Sequence, residues 1–257
     1  MKNLTKLTGI IICLFITISL TAQNTVNASK IMNDIKNGKD IVYTNATIVG
    51  VLDFTFMDEQ AKKLPKRKKR WWNNGKSNNK IEKQITSKIS FENCIFEDNV
   101  FAYIHNEDTQ YTFVANFEGN AIFKNCTFNE KGMFKYSKFY KKANFSNSKF
   151  KNESTFKYAD FKSETNFANT FYAESSTFKY ATFKKNVSFA NSIFQETATF
   201  KYAKFKNGVS FNKTRFEEDL DIKYTKVTGD FDVKGMHVEY SVDSKYTRIN
   251  GNSFSYN

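Results

Sequence analysis

Residues 134–221 are four copies of one 22-residue phrase, FKYSKFYKKANFSNSKFKNEST, FKYADFKSETNFANTFYAESST, FKYATFKKNVSFANSIFQETAT and FKYAKFKNGVSFNKTRFEEDLD. Large apolar residues fall at intervals of 5, 6, 5 and 6 within each copy. An α-helix repeats its buried face every three to four residues and a half-buried strand every two, so neither explains this spacing. One buried residue per short straight segment, with a corner between segments, does. Four segments close a square coil, and a fixed 22-residue period stacks coil on coil about 4.8 Å apart. Phe134, Phe156, Phe178, Phe200 and Ile222 then form one interior column. With 28 Phe, 10 Gly and 1 Pro, the 257-residue chain has material for a continuous core and little for linkers.

The period extends beyond these copies. Asp40 to Phe54 reads as the opening strands. FENCIF (91–96) matches FKNCTF (123–128), but 32 residues later instead of 22, so the ten surplus residues leave the coil as an excursion at 102–112 without breaking register. Past Phe216 the column turns aliphatic through Ile222, Val227, Val233, Val238 and Ile249. Before the coil, SKIMNDIK sets Ile31 and Ile35 on one helical face, with Ser29 as the expected N-cap and Gly38 as the stop. A short helix there caps the open first coil. The ending NSFSYN offers no cap, so the last coil is expected to leave an unpaired edge, the place where a homodimer would form.

Two segments stand outside the pattern. Residues 1–22 combine Lys2 and Lys6 with an apolar run from Leu7 to Leu20 and a small-residue exit at Thr21 and Ala22, the layout of a secretory signal peptide. The expectation is an exported protein of the periplasm, cell envelope or medium. Residues 55–84 lose the period, and Lys66, Arg67, Lys68, Lys69 and Arg70 run into Trp71 and Trp72. This reads as a basic inserted loop suited to an anionic surface, with charge from Lys and Arg and interfacial anchoring from Trp.

The formal charge of +13 favours anionic partners. Stacking at 22 residues aligns Lys135, Lys157, Lys179, Lys201 and Lys223 beside Tyr136, Tyr158, Tyr180, Tyr202 and Tyr224, predicting a flat basic and aromatic face for an anionic polymer, membrane surface or protein. Nucleic acid is disfavoured for an exported chain. The same column also has a purely structural explanation, since Lys stems lie along Tyr rings. Cys94 and Cys126 become neighbours in adjacent coils, as a disulfide or as two stacked thiols; parallel side chains hold Cβ atoms slightly too far apart for an easy bridge.

In the coil, the residue two positions before each central apolar one is usually small: Ala143, Ser148, Ser154, Ala159, Thr165, Thr170, Ser176, Ala181, Ser192, Ala198 and Ala203. Alternating large and small inward residues fill a narrow tube without overpacking. With units such as ADF (159–161), ATF (181–183) and AKF (203–205), the chain resembles the pentapeptide-repeat proteins over 40–54 and 85–249. The resemblance implies an all-β, right-handed quadrilateral parallel β-helix (a solenoid) over 40–257, behind a cap segment at 23–39. It departs from the family pattern in that every second unit has six residues, which implies a coil enlarged or bulged at two corners. The best-known family members are acidic rods that mimic DNA for topoisomerases, a role the opposite charge here removes.

β-helices also carry polysaccharide lyases and hydrolases, and such an enzyme is the alternative reading. Its carboxylates and base would have to converge. His105 with Glu107 and Asp108 lies in the excursion, His237 lies in the last coils, and no metal-ligand, cofactor or nucleophile motif appears. The expectation is a binding or structural scaffold with no catalytic residues, metal or cofactor.

Overall fold

The computed structural model describes residues 24–62, 64 and 79–256. The signal-peptide reading of 1–22 and the basic run Lys66 to Trp72 lie outside the described residues. From Ile41 onward the chain winds into four parallel sheets, two of them eight strands deep, and later coils have two residues per strand. It is a quadrilateral β-helix. Partners in adjacent coils are separated by 22 residues, as in Phe139↔Phe161↔Phe183↔Phe205 and Ala143↔Thr165↔Val187↔Val209.

The core is the set of Phe columns. Phe134, Phe156, Phe178 and Phe200 are fully buried and stack with centroids 5.1, 5.0 and 4.9 Å apart and planes within 5°. Neighbouring columns meet edge to face: Phe156 lies 5.2 Å from Phe145 at 77° and 5.0 Å from Phe167 at 77°. Each ring therefore gains offset contact along the axis and edge contact across it. The small inward residues that carry hydroxyls are buried yet satisfied. Ser148, Thr170, Ser192 and Thr214 donate to the carbonyls of Phe123, Phe145, Phe167 and Phe189 at 2.6, 3.1, 2.7 and 2.8 Å.

The alternation of five and six residues corresponds to two kinds of corner. At five-residue corners the chain turns through one left-handed residue: Asn125, Asn147, Asn169 and Asn191 at φ 54 to 58°, and Tyr136, Tyr158, Tyr180, Tyr202 and Tyr224 at φ 59 to 64°. Between Phe139 and Phe145, or Phe150 and Phe156, the extra residue lets the chain turn with no left-handed position. Asn adopts this conformation readily, and the Asn side chains also ladder, with Asn169 Nδ2 donating to Asn147 Oδ1 at 3.0 Å.

The N-terminal end differs from expectation in detail. Strand β1 (Asn24–Asn27) pairs parallel with β3 (Ala46–Val49) and leads into α1 (Ala28–Lys36). The N-cap is Asn27, not Ser29: the Asn27 carboxamide accepts from Ser29 N at 2.8 Å, because the strand delivers Asn27 in extended conformation at the first turn. Ala28, Ile31 and Ile35 close the end of the core.

After β2 (Ile41–Thr44), β3 and β4 (Leu52–Asp53), the region expected as a loop at 55–84 contains a short helix, α2 (Met57–Ala61), and a six-residue strand, β5 (Lys80–Ile85). The coil thus resumes at Lys80. The excursion at 102–112 is likewise not a loop. Tyr103–Asn106 forms an antiparallel hairpin with Tyr111–Phe117, and the latter runs parallel to β5 with Phe117↔Ile85. The two irregular segments support each other by backbone pairing, which side-chain periodicity does not reveal.

Cys94 and Cys126 are buried and unbridged. Their thiols donate to the carbonyls of Glu92 and Phe91, both at 3.4 Å, and burial pushes the Cys126 thiol well above its usual range. At the far end NSFSYN does cap one sheet: Asn252–Ser253 folds back antiparallel on Arg248–Ile249, and Phe254 packs 5.2 Å from Phe231. Phe231–Asp232, His237–Val238 and Val242–Asp243 remain the outermost strands of the other three sheets.

Candidate binding ridge

The Lys and Tyr columns occupy a corner, not a sheet. The unit Phe-Lys-Tyr-small forms a β-turn, closed by Ser137 N to Phe134 O at 3.3 Å, Ala159 N to Phe156 O at 3.0 Å, Ala181 N to Phe178 O at 2.9 Å and Ala203 N to Phe200 O at 2.8 Å, and the Ile222 unit closes likewise through Thr225 N at 3.0 Å. A bulky side chain at positive φ costs about 1 kcal/mol or more. That geometry aims the Tyr N–H at the next coil, where Tyr136, Tyr158, Tyr180 and Tyr202 donate to the carbonyls of Lys157, Lys179, Lys201 and Lys223 at 2.9 to 3.0 Å. The turn thus stays in the hydrogen-bond ladder, and the Ala that follows faces the core.

Outside, the Tyr rings stack on one another. Centroids from Tyr136 through Tyr158, Tyr180, Tyr202 and Tyr224 to Tyr246 are 4.9, 4.6, 4.7, 4.6 and 4.8 Å apart, with planes within 20°. Tyr103 from the hairpin adds a tilted ring 5.9 Å above Tyr136. Five of the six column lysines bend over their own rings: Lys135, Lys157, Lys179, Lys201 and Lys245 hold their ammonium groups 5.2, 5.6, 5.4, 5.9 and 5.1 Å from the centroids. Lys135 also donates to Tyr103 Oη at 3.1 Å.

This geometry changes the chemistry expected from the sequence. Parallel rings less than 5 Å apart leave no room for a ligand ring between them, so the Tyr faces are taken up by each other. What points outward is a row of ring edges and phenol hydroxyls flanked by ammonium groups. The ridge can therefore offer charge and hydrogen bonds but not stacking. The ammonium groups also strain one another: burial, Lys135 and Lys179 together hold the Lys157 ammonium below its usual pKa. Similarly, burial and the neighbouring phenols raise Tyr158 and Tyr202, which stay neutral donors at physiological pH.

The other sequence candidates do not join this ridge. His105 Nδ1 meets Thr112 Oγ1 at 2.9 Å within the hairpin, while His237 Nε2 meets Glu239 at 3.0 Å near the opposite end. They share no site. Two shallow depressions of about 400 Å³ flank Phe56 at the N-terminal end; one is lined by Met32, Val51, Asp53, Phe101 and Ile104, the other by Lys36, Glu59, Leu64, Ile81 and Lys83, and neither includes a histidine. The described residues contain no group of three or more His, Cys, Asp or Glu placed to hold a metal ion. Among them, no helix is long and apolar enough to cross a membrane.

A family model of pentapeptide repeats (9 copies) matches residues 134–182 and 178–226, the coils that carry most of the ridge. The array is a pentapeptide-repeat β-helix. No curated protein matches the chain. Within this pentapeptide-repeat array the matched coils are the most regular ones, whereas the hairpin, α2 and the cap helix lie outside the matched residues.

Proposed function

We propose that the chain is an exported pentapeptide-repeat scaffold that binds an anionic partner of the cell envelope along its Lys/Tyr ridge. Pentapeptide-repeat proteins are generally structural or scaffold proteins without catalysis, and the separation of His105 from His237 supports a non-enzymatic reading here. Export rests on the layout of residues 1–22. The observation that carries the binding reading is the charge of the ridge. Among the described residues, Lys135, Lys157, Lys179 and Lys201 have no carboxylate within 4.0 Å, although other lysines of the rod, such as Lys131 with Glu153 and Lys124 with Glu92, do.

A second reading, a ridge that only stabilises the rod, is favoured by the ammonium positions over the rings. One experiment separates the two. The chain and its Lys157→Gln/Lys179→Gln/Lys201→Gln variant are titrated at low salt with a long polyuronate. Weakening by tenfold or more with an unchanged melting curve supports binding, whereas unchanged affinity with a lowered Tm assigns the ridge to structure.

A further inference from the structure

The lysine column runs the length of the regular coils, and acids stand beside it at both ends of its middle stretch. At the N-terminal side Glu82 of β5 stands near the first rung and pairs with lysines outside the column. Its carboxylate lies 2.5 Å from the Lys80 ammonium and 3.2 Å from that of Lys138, and it accepts from Asn116 Nδ2 at 2.8 Å. Lys80 in turn hangs 5.9 Å over the Tyr136 ring, the first of the stack, so this acid stands at the head of the ladder.

At the C-terminal side the residue two before each lysine changes. It is Thr155, Thr177 and Thr199 beside Lys157, Lys179 and Lys201, then Asp221 and Asp243 beside Lys223 and Lys245. Asp221 accepts from Lys223 N at 2.9 Å and from Thr199 Oγ1 at 3.3 Å. Asp243 accepts from Lys245 N at 3.1 Å and pairs with the Lys223 ammonium at 3.4 Å. Only Lys135, Lys157, Lys179 and Lys201 lie between these acids.

We propose that the ridge is a bounded site four lysines long, which takes a linear acidic polysaccharide along the rod axis with about one anionic group per coil. This rests on the binding reading above and specifies its ligand. Four rungs at the inter-strand rise of about 4.8 Å span about 14 Å. The observed ring spacing of 4.6 to 4.9 Å fixes the step.

Other polyanions do not keep step. Phosphates along a stacked nucleic-acid strand recur about every 3.4 Å and drift by about 4 Å over three steps. Bases bind single-strand sites by stacking on aromatic faces, which here are taken. Side chains on one face of an extended acidic peptide recur about every 6.6 Å. A membrane surface would hold the ridge by charge alone, since the Tyr rings cannot leave their stack to insert, and its mobile anions present no fixed step. A sugar chain needs none of these. Its carboxylates accept from the ammonium groups and its ring hydroxyls pair with the phenols of Tyr158, Tyr180 and Tyr202, while each bound anion relieves the mutual repulsion of neighbouring lysines.

The test is a length series. The full chain is titrated by calorimetry at low salt with uronate oligomers of roughly two to ten units, beside the Asp221→Asn/Asp243→Asn variant, whose carboxamide oxygens can still accept from Lys223 N and Lys245 N. Affinity is expected to climb to about four units and then level off, and the variant to move that plateau to about six. A smooth rise through the whole series, or a plateau the variant leaves in place, overturns the bounded site while the binding reading survives. Failure of even long polyuronate to bind, with anionic vesicles or single-stranded DNA binding instead, overturns the polysaccharide assignment. No binding to any of these polyanions removes the binding reading with it.

Discussion

Tyr172 brings a hydroxyl into a column that is otherwise Phe from Phe96 to Phe216. Its ring stacks 5.3 Å from Phe150 and 4.4 Å from Phe194 with planes within 6°, so the ring itself is well placed. Its hydroxyl is fully buried and has no hydrogen-bond partner. Leaving such a donor unsatisfied costs about 1 to 3 kcal/mol, against which the atom-sized void left by its removal costs a few tenths to about 1 kcal/mol. Tyr172→Phe is therefore expected to stabilise the rod by about 1 kcal/mol at neutral pH. Urea unfolding reads this as a higher midpoint at unchanged slope.

The pH dependence sharpens the test. Burial raises the folded-state pKa of Tyr172, while in the unfolded chain the phenol ionises near 10. A group whose folded pKa is raised contributes stability that is complete below the unfolded value and lost as pH rises above it. The wild-type rod should thus lose up to about 1.4 kcal/mol per pH unit above 10 through this residue alone, and the Phe variant should not. The gap between the two proteins should widen from pH 9 to 11. A Phe variant less stable at neutral pH, or a gap that stays flat through that range, refutes the argument that this hydroxyl is an unpaired cost.

Two further outcomes follow from the corners and the ends. Asn169→Ala removes both a residue suited to φ 56° and the amide link to Asn147, and is expected to cost about 1 to 2 kcal/mol in urea unfolding, while Asn169→Gly, which tolerates the same φ, should cost less. At the hairpin, burial works to raise the Glu82 carboxyl, but hydrogen bonds from Lys80, Asn116 and Lys138 outweigh it and hold it at about 2, against 4.5 in the unfolded chain. That lowered value gives stability present above pH 4.5 and lost as pH falls toward 2, so acid titration of Tm should be steeper for the wild type than for Glu82→Gln in that window.

Much of this architecture was legible from Phe spacing. A buried column repeats at the coil period wherever the coil is regular, so Phe134 to Phe205 announce both the four sheets and their register. The pairing of β5 with Tyr111–Phe117 escaped because backbone hydrogen bonds impose no residue pattern, and Thr112, Val114 and Asn116 look like any loop sequence. Asn27 escaped as N-cap because the strand that presents it pairs with Ala46 to Val49, far along the chain. The Lys and Tyr columns were visible as letters, but their chemistry was not. That the rings face each other follows from the left-handed turn at Tyr158, and that Lys138 and Lys80 are neutralised follows from Glu82, which stands 56 residues before Lys138. Asp221 and Asp243 were in plain view, each two residues before a ladder lysine, but the ion pair of Asp243 with Lys223 in the preceding coil needs the stacking to be seen.

Contact between the uncompensated lysines of the ridge and an anionic chain is the central proposal. Its most direct measurement is the salt dependence of polyuronate affinity for the wild type and for Lys157→Gln/Lys179→Gln/Lys201→Gln. A ridge with four engaged lysines predicts a linear fall of log affinity with log salt, shallower in the variant by at most about one per lysine removed. Equal slopes for the two proteins would place the bound anion elsewhere on the rod and contradict the account.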